Sequence, residues 1–222
     1  MKMNKIALAC GAALLATSAV AQAEFSANIG VTSNYVWRGW TQTEDQAAIQ
    51  GGVDYAHDSG FYAGTWASNV SFYDDVALSS EAGAELDFYA GYGGEVSGIG
   101  YDVGYVYYSY PQYDDSDFGE IYGSVSWEML TLGLAYTANS DFDSDGDLYY
   151  YGNVSFDLPQ DFSIGATAGQ YSFDDSTSGT YNHYQLDIGK SAGDFGDFTL
   201  SVSANDDYDT DPLVFVSWAK SF

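Results

Sequence analysis

The chain has 222 residues, and its 32 acidic side chains against 5 basic ones give a formal net charge of −27 at pH 7. Such a charge repels phosphate backbones, which excludes nucleic acid as an expected partner. Aromatic residues make up 18% of the chain and Tyr alone numbers 21, so the composition is that of a folded protein and not of a disordered one.

The first 23 residues have the pattern of a secretory signal peptide. "MKMNK" is a basic start, "IALACGAALLATSAV" is an apolar run too short to span a membrane, and "AQA" is a small-x-small cleavage pattern. We expect cleavage after Ala23, which leaves residues 24–222 as a single domain. Cleavage would remove two basic residues and the only cysteine, so the remainder would carry a formal charge of 3 minus 32, or −29, and no disulfide.

Hydrophobicity then alternates with period two along the rest of the chain. In "FSANIGVTSNYVW", residues 25–37, the odd positions are mostly apolar and the even positions small or polar. Alternation of this kind predicts β-strands with one apolar and one polar face. Eleven further segments have the same pattern and the length of tilted membrane strands: "AAIQGGVDYA", "FYAGTWASNVSF", "AELDFYAGYGGEV", "YDVGYVYYSY", "EIYGSVSWEM", "LTLGLAYTAN", "LYYYGNVSFDL", "FSIGATAGQYSF", "YNHYQLDIGK", "DFTLSVSAN" and "PLVFVSWAKSF".

The connections between these segments are alternately short and long. The short ones contain "HDSG", "GEVSGIG", "WEML", "LPQD" and "SAGDFGD", and the long ones contain "TQTED", "YDDVALSSE", "PQYDDSD", "SDFDSDGD", "DDSTSG" and "NDDYDTD". Eighteen of the 32 acidic residues lie in the long connections. The sequence therefore predicts an all-β fold, an antiparallel transmembrane β-barrel of 12 strands with short periplasmic turns and longer acidic extracellular loops. A soluble β-sandwich explains the alternation but not this asymmetry.

The C-terminal strand agrees with a barrel of the outer membrane of a Gram-negative bacterium. Outer-membrane barrels characteristically end on an aromatic residue that the barrel-assembly machinery reads, and this chain ends on Phe222. Lys190 and Lys220 should face outward at the inner ends of their strands, where long side chains reach the lipid headgroups. Outer-membrane lipid and the assembly machinery are thus the expected partners, and the oligomeric state stays open.

Four stretches carry a family resemblance: "SNYVWRG", "IQGGVDYAHDSGFYAGTWASNV", "LDFYAGYGGE" and "YDVGYVYYSYP". With them the chain resembles the TorF family of porins, over all of residues 24–222 in strand order and most densely in the first hundred residues. The resemblance implies an outer-membrane barrel that passes small solutes. It implies no catalytic residues.

Arg38 is the only arginine in the chain and lies in "SNYVWRGW". Its position in the alternation predicts that it faces the lumen at the outer end of the first strand. One hypothesis makes it a clamp that holds the first loop and the seam between the last strand and the first. The other makes it a lone cation that sets the field at a constriction.

The alternation also assigns polar side chains to the lumen. A barrel of 12 strands lies between filled 8-stranded barrels and open 16-stranded porins, and inward tyrosines should narrow it further. We therefore predict a porin that gives passive diffusion of small solutes and prefers cations. The alternative is a non-conducting structural or surface-interaction barrel that acts through its acidic loops and bound divalent ions. For the lumen itself, the alternative to an open passage is a closed, hydrogen-bonded plug of these acids and tyrosines. The candidate pore-lining residues are Arg38, Asp54, Glu85, Asp87, Tyr89, Asp102, Tyr108, Glu120, Tyr122 and Asp187.

Two further patterns concern metal binding and catalysis. Asp141, Asp143 and Asp145 precede Gly146 as in the opening of a calcium loop, but the twelfth position is Gly152 and not a bidentate glutamate. Weak calcium binding at the outer loops is the only cofactor expected. His57 and His183 cannot be given catalytic partners from the sequence, so no enzymatic activity is expected.

Overall fold

In the computed structural model, the described residues are 24–74, 79–142, 144–174, 179–207 and 211–222, with the side chains of residues 73, 74 and 79–81 outside the description. Twelve antiparallel strands form one closed barrel. The barrel strands are β1 (Glu24–Thr32), β4 (Ala48–Ala56), β5 (Phe61–Asp74), β6 (Ser79–Val96), β7 (Ile99–Ser109), β8 (Phe118–Trp127), β9 (Leu130–Ser140), β10 (Leu148–Leu158), β11 (Phe162–Ser172), β12 (Thr180–Ser191), β13 (Asp197–Asn205) and β14 (Leu213–Ser221).

Two very short strands do not belong to the barrel wall. β2 (Val36–Trp37) and β3 (Trp40–Thr41) pair with each other in a separate two-stranded sheet. The described residues also include one short 3₁₀ helix, Gly193–Phe195, in the turn before β13. No helix among the described residues is long and apolar enough to cross a membrane.

Each barrel strand pairs with its neighbours in the chain, and β14 closes the barrel on β1. At this seam the Phe222 N–H donates to the Ala27 carbonyl at 2.8 Å, and the Ala27 N–H donates to the Phe222 carbonyl at 3.3 Å. The Phe222 side chain points outward and is 71% exposed. The predicted fold class, a closed antiparallel barrel of 12 strands, is therefore confirmed.

The outer face of the wall is apolar and the inner face polar, because successive side chains of a strand point to opposite sides of a sheet. Outward positions carry exposed aliphatic and aromatic side chains on every barrel strand, such as Phe88, Leu134 and Leu186. Lys190 and Lys220 also point outward, with their ammonium groups 5.0 and 5.1 Å from the ring centres of Phe162 and Phe222. Such a surface is stable against hydrocarbon and unfavourable against water.

The two ends of the barrel differ in their connections. We call the end with the short turns, such as Glu128–Met129 between β8 and β9, the turn end, and the opposite end the loop end. Two predicted boundaries were wrong at the loop end. The first strand stops at Thr32 and not at Trp37, and β5 and β6 extend through most of the predicted loop "YDDVALSSE". Residues 33–47, which we call loop L1, therefore leave the wall.

Candidate functional site in the barrel lumen

Loop L1 folds inward as a β-hairpin. Val36 pairs with Thr41 and Trp37 with Trp40, so Arg38 and Gly39 form a two-residue turn. Both have positive φ, 49° and 89°, as the type I′ turns of tight hairpins require. The sequence "VWRGWT" builds this hairpin locally, since a glycine at the second turn position stands between aromatic and β-branched residues that favour strands.

The Arg38 guanidinium lies in a box of one carboxylate and aromatic rings. Arg38 Nη1 and Nη2 donate to the two carboxylate oxygens of Glu120 on β8, each at 2.7 Å. The guanidinium carbon lies 4.1 Å from the ring centre of Trp37 and 4.1 Å from that of Tyr149 on β10, with Tyr171 of β11 at 5.7 Å. The geometry combines bidentate pairing with cation–π contact, which suits a planar guanidinium.

This ion pair is buried. The Arg38 and Glu120 side chains are 9% and 2% exposed. Burial alone would lower the pKa of Arg38, but the charge of Glu120 and the hydrogen bonds to it outweigh burial, so the pKa lies above its ordinary value and the group stays charged. Tyr108 Oη donates a further hydrogen bond to Glu120 Oε2 at 3.3 Å.

Arg38 fits the clamp hypothesis in part. It holds the first loop, as that hypothesis expected, but it attaches the loop to β8 inside the lumen and not to the seam between β14 and β1. A β-bulge in the β8–β9 pairing falls between Gly119 and Glu120, directly beside the carboxylate. Bulges of this kind re-aim side chains at functional positions.

A second attachment holds the start of L1 against β6 and β7. Tyr35 Oη donates to Glu85 Oε1 at 2.8 Å, and Tyr110 Oη donates to Glu85 Oε2 at 2.9 Å. Burial, followed by the charge of Glu85, raises the pKa of the Tyr35 phenol well above its usual value, so it remains a donor. Asp87, two residues along β6, is 2% exposed, and its Oδ1 has no hydrogen-bond partner among the described residues.

The hairpin tip rests on the opposite wall. Asn205 Nδ2 donates to the Gly39 carbonyl at 2.8 Å, and a Cβ on Gly39 would lie 2.7 Å from the Cβ of His183. His183 Nε2 in turn lies 2.8 Å from Tyr149 Oη. Together with the Arg38 and Tyr35 contacts, these place L1 across the lumen at the loop end, in contact with strands on opposite sides of the barrel.

The lumen toward the turn end is arranged differently. Four inward tyrosines each lie over a glycine directly opposite on the neighbouring strand. A methyl group on the glycine would overlap the tyrosine ring. The pairs are Tyr62 with Gly91, Tyr89 with Gly64, Tyr122 with Gly104, and Tyr151 with Gly133. These rings therefore lie along the wall. The glycines opposite make room for these four rings, so in this half of the lumen the inward tyrosines pack onto the neighbouring strands.

Two carboxylates line this half of the lumen and are partly exposed. Asp54 accepts hydrogen bonds from Tyr89 Oη and, at 3.5 Å, from Asn28 Nδ2. Asp102 Oδ1 accepts from Tyr62 Oη at 2.8 Å, while Asp102 Oδ2 has no hydrogen-bond partner among the described residues. Both carboxylates thus lie on the inner side of the wall, and a tyrosine hydroxyl holds each of them in place.

All of the ten residues proposed as pore-lining lie on the inner side of the barrel, but in two groups. Asp54, Tyr89, Asp102 and Tyr122 are partly exposed in the half toward the turn end. The other six are buried or nearly so, and five of them belong to the wall or loop contacts around L1: Arg38, Glu85, Asp87, Tyr108 and Glu120. The sixth, Asp187, accepts hydrogen bonds from Gln185 Nε2 at 2.9 Å and Ser201 Oγ at 2.6 Å.

The remaining predicted positions are at the ends of the barrel. Asp143 lies outside the described residues, so the proposed calcium trio is not described as a set; Asp141 and Asp145 are exposed. Among the described residues, no group of three or more acidic, histidine or cysteine side chains is arranged to hold a metal ion. His57 lies in an exposed turn, where its Nδ1 is 2.9 Å from Ser59 Oγ.

Sequence reasoning missed several residues of this site. Trp37 and Tyr171 complete the box around Arg38, and Tyr35 and Asn205 anchor the loop at its two sides. The one signal that could have found the hairpin is Arg38-Gly39 between aromatic residues, which has the form of a two-residue turn. The partners on the wall are far away in sequence and leave no local signal.

A closed barrel with an apolar outer face, a polar inner face and an inward first loop has the architecture of a porin-like outer-membrane barrel. The chain belongs to the family described as bacterial protein of unknown function (Gcw_chp), whose model matches residues 16–220. No curated protein matches the sequence.

Two solved structures of one porin are similar to this chain in fold. The KdgM porin is similar with a TM-score of 0.59 and 9% identity, over 89% of this chain and 98% of that one. The KdgM porin in complex with disordered oligogalacturonate gives a TM-score of 0.56 and 9% identity, over 89% and 97%. The outer membrane phospholipase A from Escherichia coli matches with a TM-score of 0.47 and 12% identity, over 87% of this chain and 95% of that one.

Proposed function

We propose that this protein is a porin of the outer membrane of a Gram-negative bacterium, which passes small solutes and prefers cations. The apolar outer face and the closed barrel support a membrane location, because a barrel leaves no unpaired strand edge in lipid. The resemblance to the TorF family of porins agrees with this proposal.

The charge of the lumen is the observation that carries the proposal. Arg38 is the only Lys or Arg side chain among the described residues that points inward, and Glu120 pairs with it. Asp54 and Asp102 remain unpaired with any cation in the described part of the chain, in the half of the lumen where the tyrosines lie along the wall. Carboxylates between low-dielectric walls concentrate cations and repel anions.

The negative charge of the lumen argues against a polyanion as the solute of this protein. Oligogalacturonate, named with the KdgM porin, is a polyanion. In this lumen the carboxylates would repel such a polyanion, and the inward Arg38 is already paired with Glu120. We therefore propose cations and small neutral polar solutes as the solute class.

Single-channel recording in planar lipid bilayers, with a salt gradient across the membrane, tests the proposal. We expect small conductance steps and a reversal potential on the side that indicates cation preference. A variant lacking residues 34–46 should conduct more, because L1 no longer occupies the lumen. Absence of conductance above leak in the wild type would contradict a porin function, whether or not the variant conducts.

A second function is favoured by the burial of L1. Its contacts with Glu120, Glu85 and Asn205 bury one end of the lumen, as a non-conducting structural or surface-interaction barrel would need. In that case the acidic loops, including Asp141, Asp143 and Asp145, would act by weakly binding divalent ions such as calcium. The recordings distinguish the two, since only the variant without L1 should then conduct.

A further inference from the structure

The box around Arg38 has the composition of a binding site for a free organic cation. Glu120 supplies two acceptor oxygens, and the rings of Tyr149 and Tyr171 supply negative faces. These three residues belong to the barrel strands β8, β10 and β11, whereas Trp37 and the guanidinium itself belong to L1. If L1 left the lumen, most of the box would remain on the wall.

If Arg38 left and nothing replaced it, the Glu120 carboxylate on the wall would lose its partner, which is unfavourable in free energy. Glu120 is 2% exposed with L1 in place, and the Glu85 and Asp87 carboxylates lie on the neighbouring part of the wall. Removing one partner of a buried ion pair leaves an uncompensated charge, which is strongly unfavourable. Departure of Arg38 is therefore opposed unless another cation, or water, replaces it at Glu120.

We propose that the barrel wall carries a recognition site for small guanidinium-type cations, formed by Glu120, Tyr149 and Tyr171, and that Arg38 occupies it as an internal ligand that keeps L1 in the lumen. This inference rests on the proposed porin function and names the solute class of that lumen. A cation that binds only when Arg38 has left shifts the equilibrium toward the open lumen, because it multiplies the ratio of open to closed barrels by 1 + c/Kd, where c is its concentration and Kd its dissociation constant.

The two carboxylate oxygens of Glu120 make the site selective for cations that carry two parallel donors. Two parallel N–H···O bonds at 2.7 Å require two donors in one plane, which methylguanidinium has and tetramethylammonium lacks. Both ions carry one charge and both can make cation–π contacts. A difference between them therefore reports the hydrogen bonds to Glu120 and not charge alone.

Thermal unfolding of the detergent-folded variant Arg38→Ala tests the site without relying on conductance. Methylguanidinium at 20 mM should raise its Tm by about 2–4 °C, the shift that corresponds to about 1 kcal/mol and to a dissociation constant of about 5 mM in a chain of this size. Tetramethylammonium at equal ionic strength should not raise it, and neither ion should raise the Tm of the double variant Arg38→Ala/Glu120→Gln. Equal effects of the two ions, or a shift that persists in the double variant, would overturn the site.

Single-channel recording of the wild type tests the coupling. Methylguanidinium should increase the open fraction, and less of it should suffice in Arg38→Lys, whose ammonium cannot bind both carboxylate oxygens in parallel. This second variant also serves if Arg38→Ala does not refold, and an unchanged half-maximal concentration would then overturn the proposal. A Tm shift without conductance in any variant would support the site and overturn the porin function.

Discussion

Removal of the Arg38 guanidinium should release L1 from the lumen. In Arg38→Ala the buried Glu120 carboxylate loses its bidentate partner, and breaking a buried ion pair in this way costs about 3–5 kcal/mol. Glu120 regains water when L1 leaves, so most of this cost falls on the closed arrangement alone. At about 1.4 kcal/mol for each factor of ten, a bias of roughly 3 kcal/mol changes the ratio of open to closed barrels on the order of 100-fold.

Chymotrypsin cleavage of the folded barrel measures this ratio. L1 carries Tyr35, Trp37 and Trp40, which are cleavage sites only when the loop leaves the lumen. When opening is fast relative to cleavage, the cleavage rate follows the open population. Arg38→Ala should therefore be cut within L1 on the order of 100 times faster than the wild type, as followed by the masses of the fragments.

The matched control is the other ion pair of the described residues. Lys190 Nζ lies 3.7 Å from Asp161 Oδ2, with both side chains exposed, and pairs of this kind contribute about 0–1 kcal/mol. Lys190→Ala should leave cleavage in L1 unchanged within a few-fold. If Arg38→Ala and Lys190→Ala were cut at similar rates, the argument that the ion pair holds L1 closed would be refuted.

Three further predictions concern the lumen and the seam. Replacing Asp54 and Asp102 together with asparagine should reduce the cation preference, read from the reversal potential, because these carboxylates line the exposed half of the lumen. Gly133→Ala should push the ring of Tyr151 off the wall. This should lower the conductance, and it should lower the free energy of unfolding, measured with urea, by about 1–3 kcal/mol. Deleting Phe222 removes two backbone hydrogen bonds to β1 and should lower the folded fraction on heat-modifiability gels, while the molecules that insert keep their conductance.

Each of these has a control in the same chain. Asparagine at Asp114 and Asp115, two exposed loop positions, should leave the reversal potential unchanged at high salt, where distant charges are screened. Gly123→Ala is the control for the tyrosine contact, since its new methyl group would lie 3.5 Å from the nearest atom. Phe222→Tyr keeps a terminal aromatic residue and should assemble. An equal effect of change and control in any pair would contradict the corresponding prediction.

The barrel itself could be predicted from the sequence, because its signals are local. Successive side chains of a strand point to opposite faces, so a barrel in lipid imposes period two on every strand, and the pattern survives without knowledge of any partner. Closure also has a local signal at the C-terminal strand. For the same reason the alternation could assign Asp54, Glu85 and Asp102 to the inner face before their neighbours were known.

The alternation failed where the chain leaves the wall. Residues 33–37 continue the period-two pattern of β1, and only the tertiary structure shows that the strand ends at Thr32 and that a second hairpin follows inside the lumen. The barrel strand and the hairpin in the lumen show the same alternation, because the hairpin is also built of paired strands. Period two therefore identifies a strand but not the sheet to which it belongs.

The site at Arg38 was decided by tertiary structure alone. Arg38 and Glu120 are 82 residues apart in sequence, and Tyr149 comes from yet another strand. Likewise, whether an inward tyrosine fills the lumen or lies along the wall depends on whether a glycine stands opposite on the next strand, which is set by the register of pairing. Composition and alternation determined that the lumen is acidic and lined by tyrosine. The closure of the barrel and its register decided which carboxylate receives the single arginine, because those distances depend on strands that meet only when the sheet is complete.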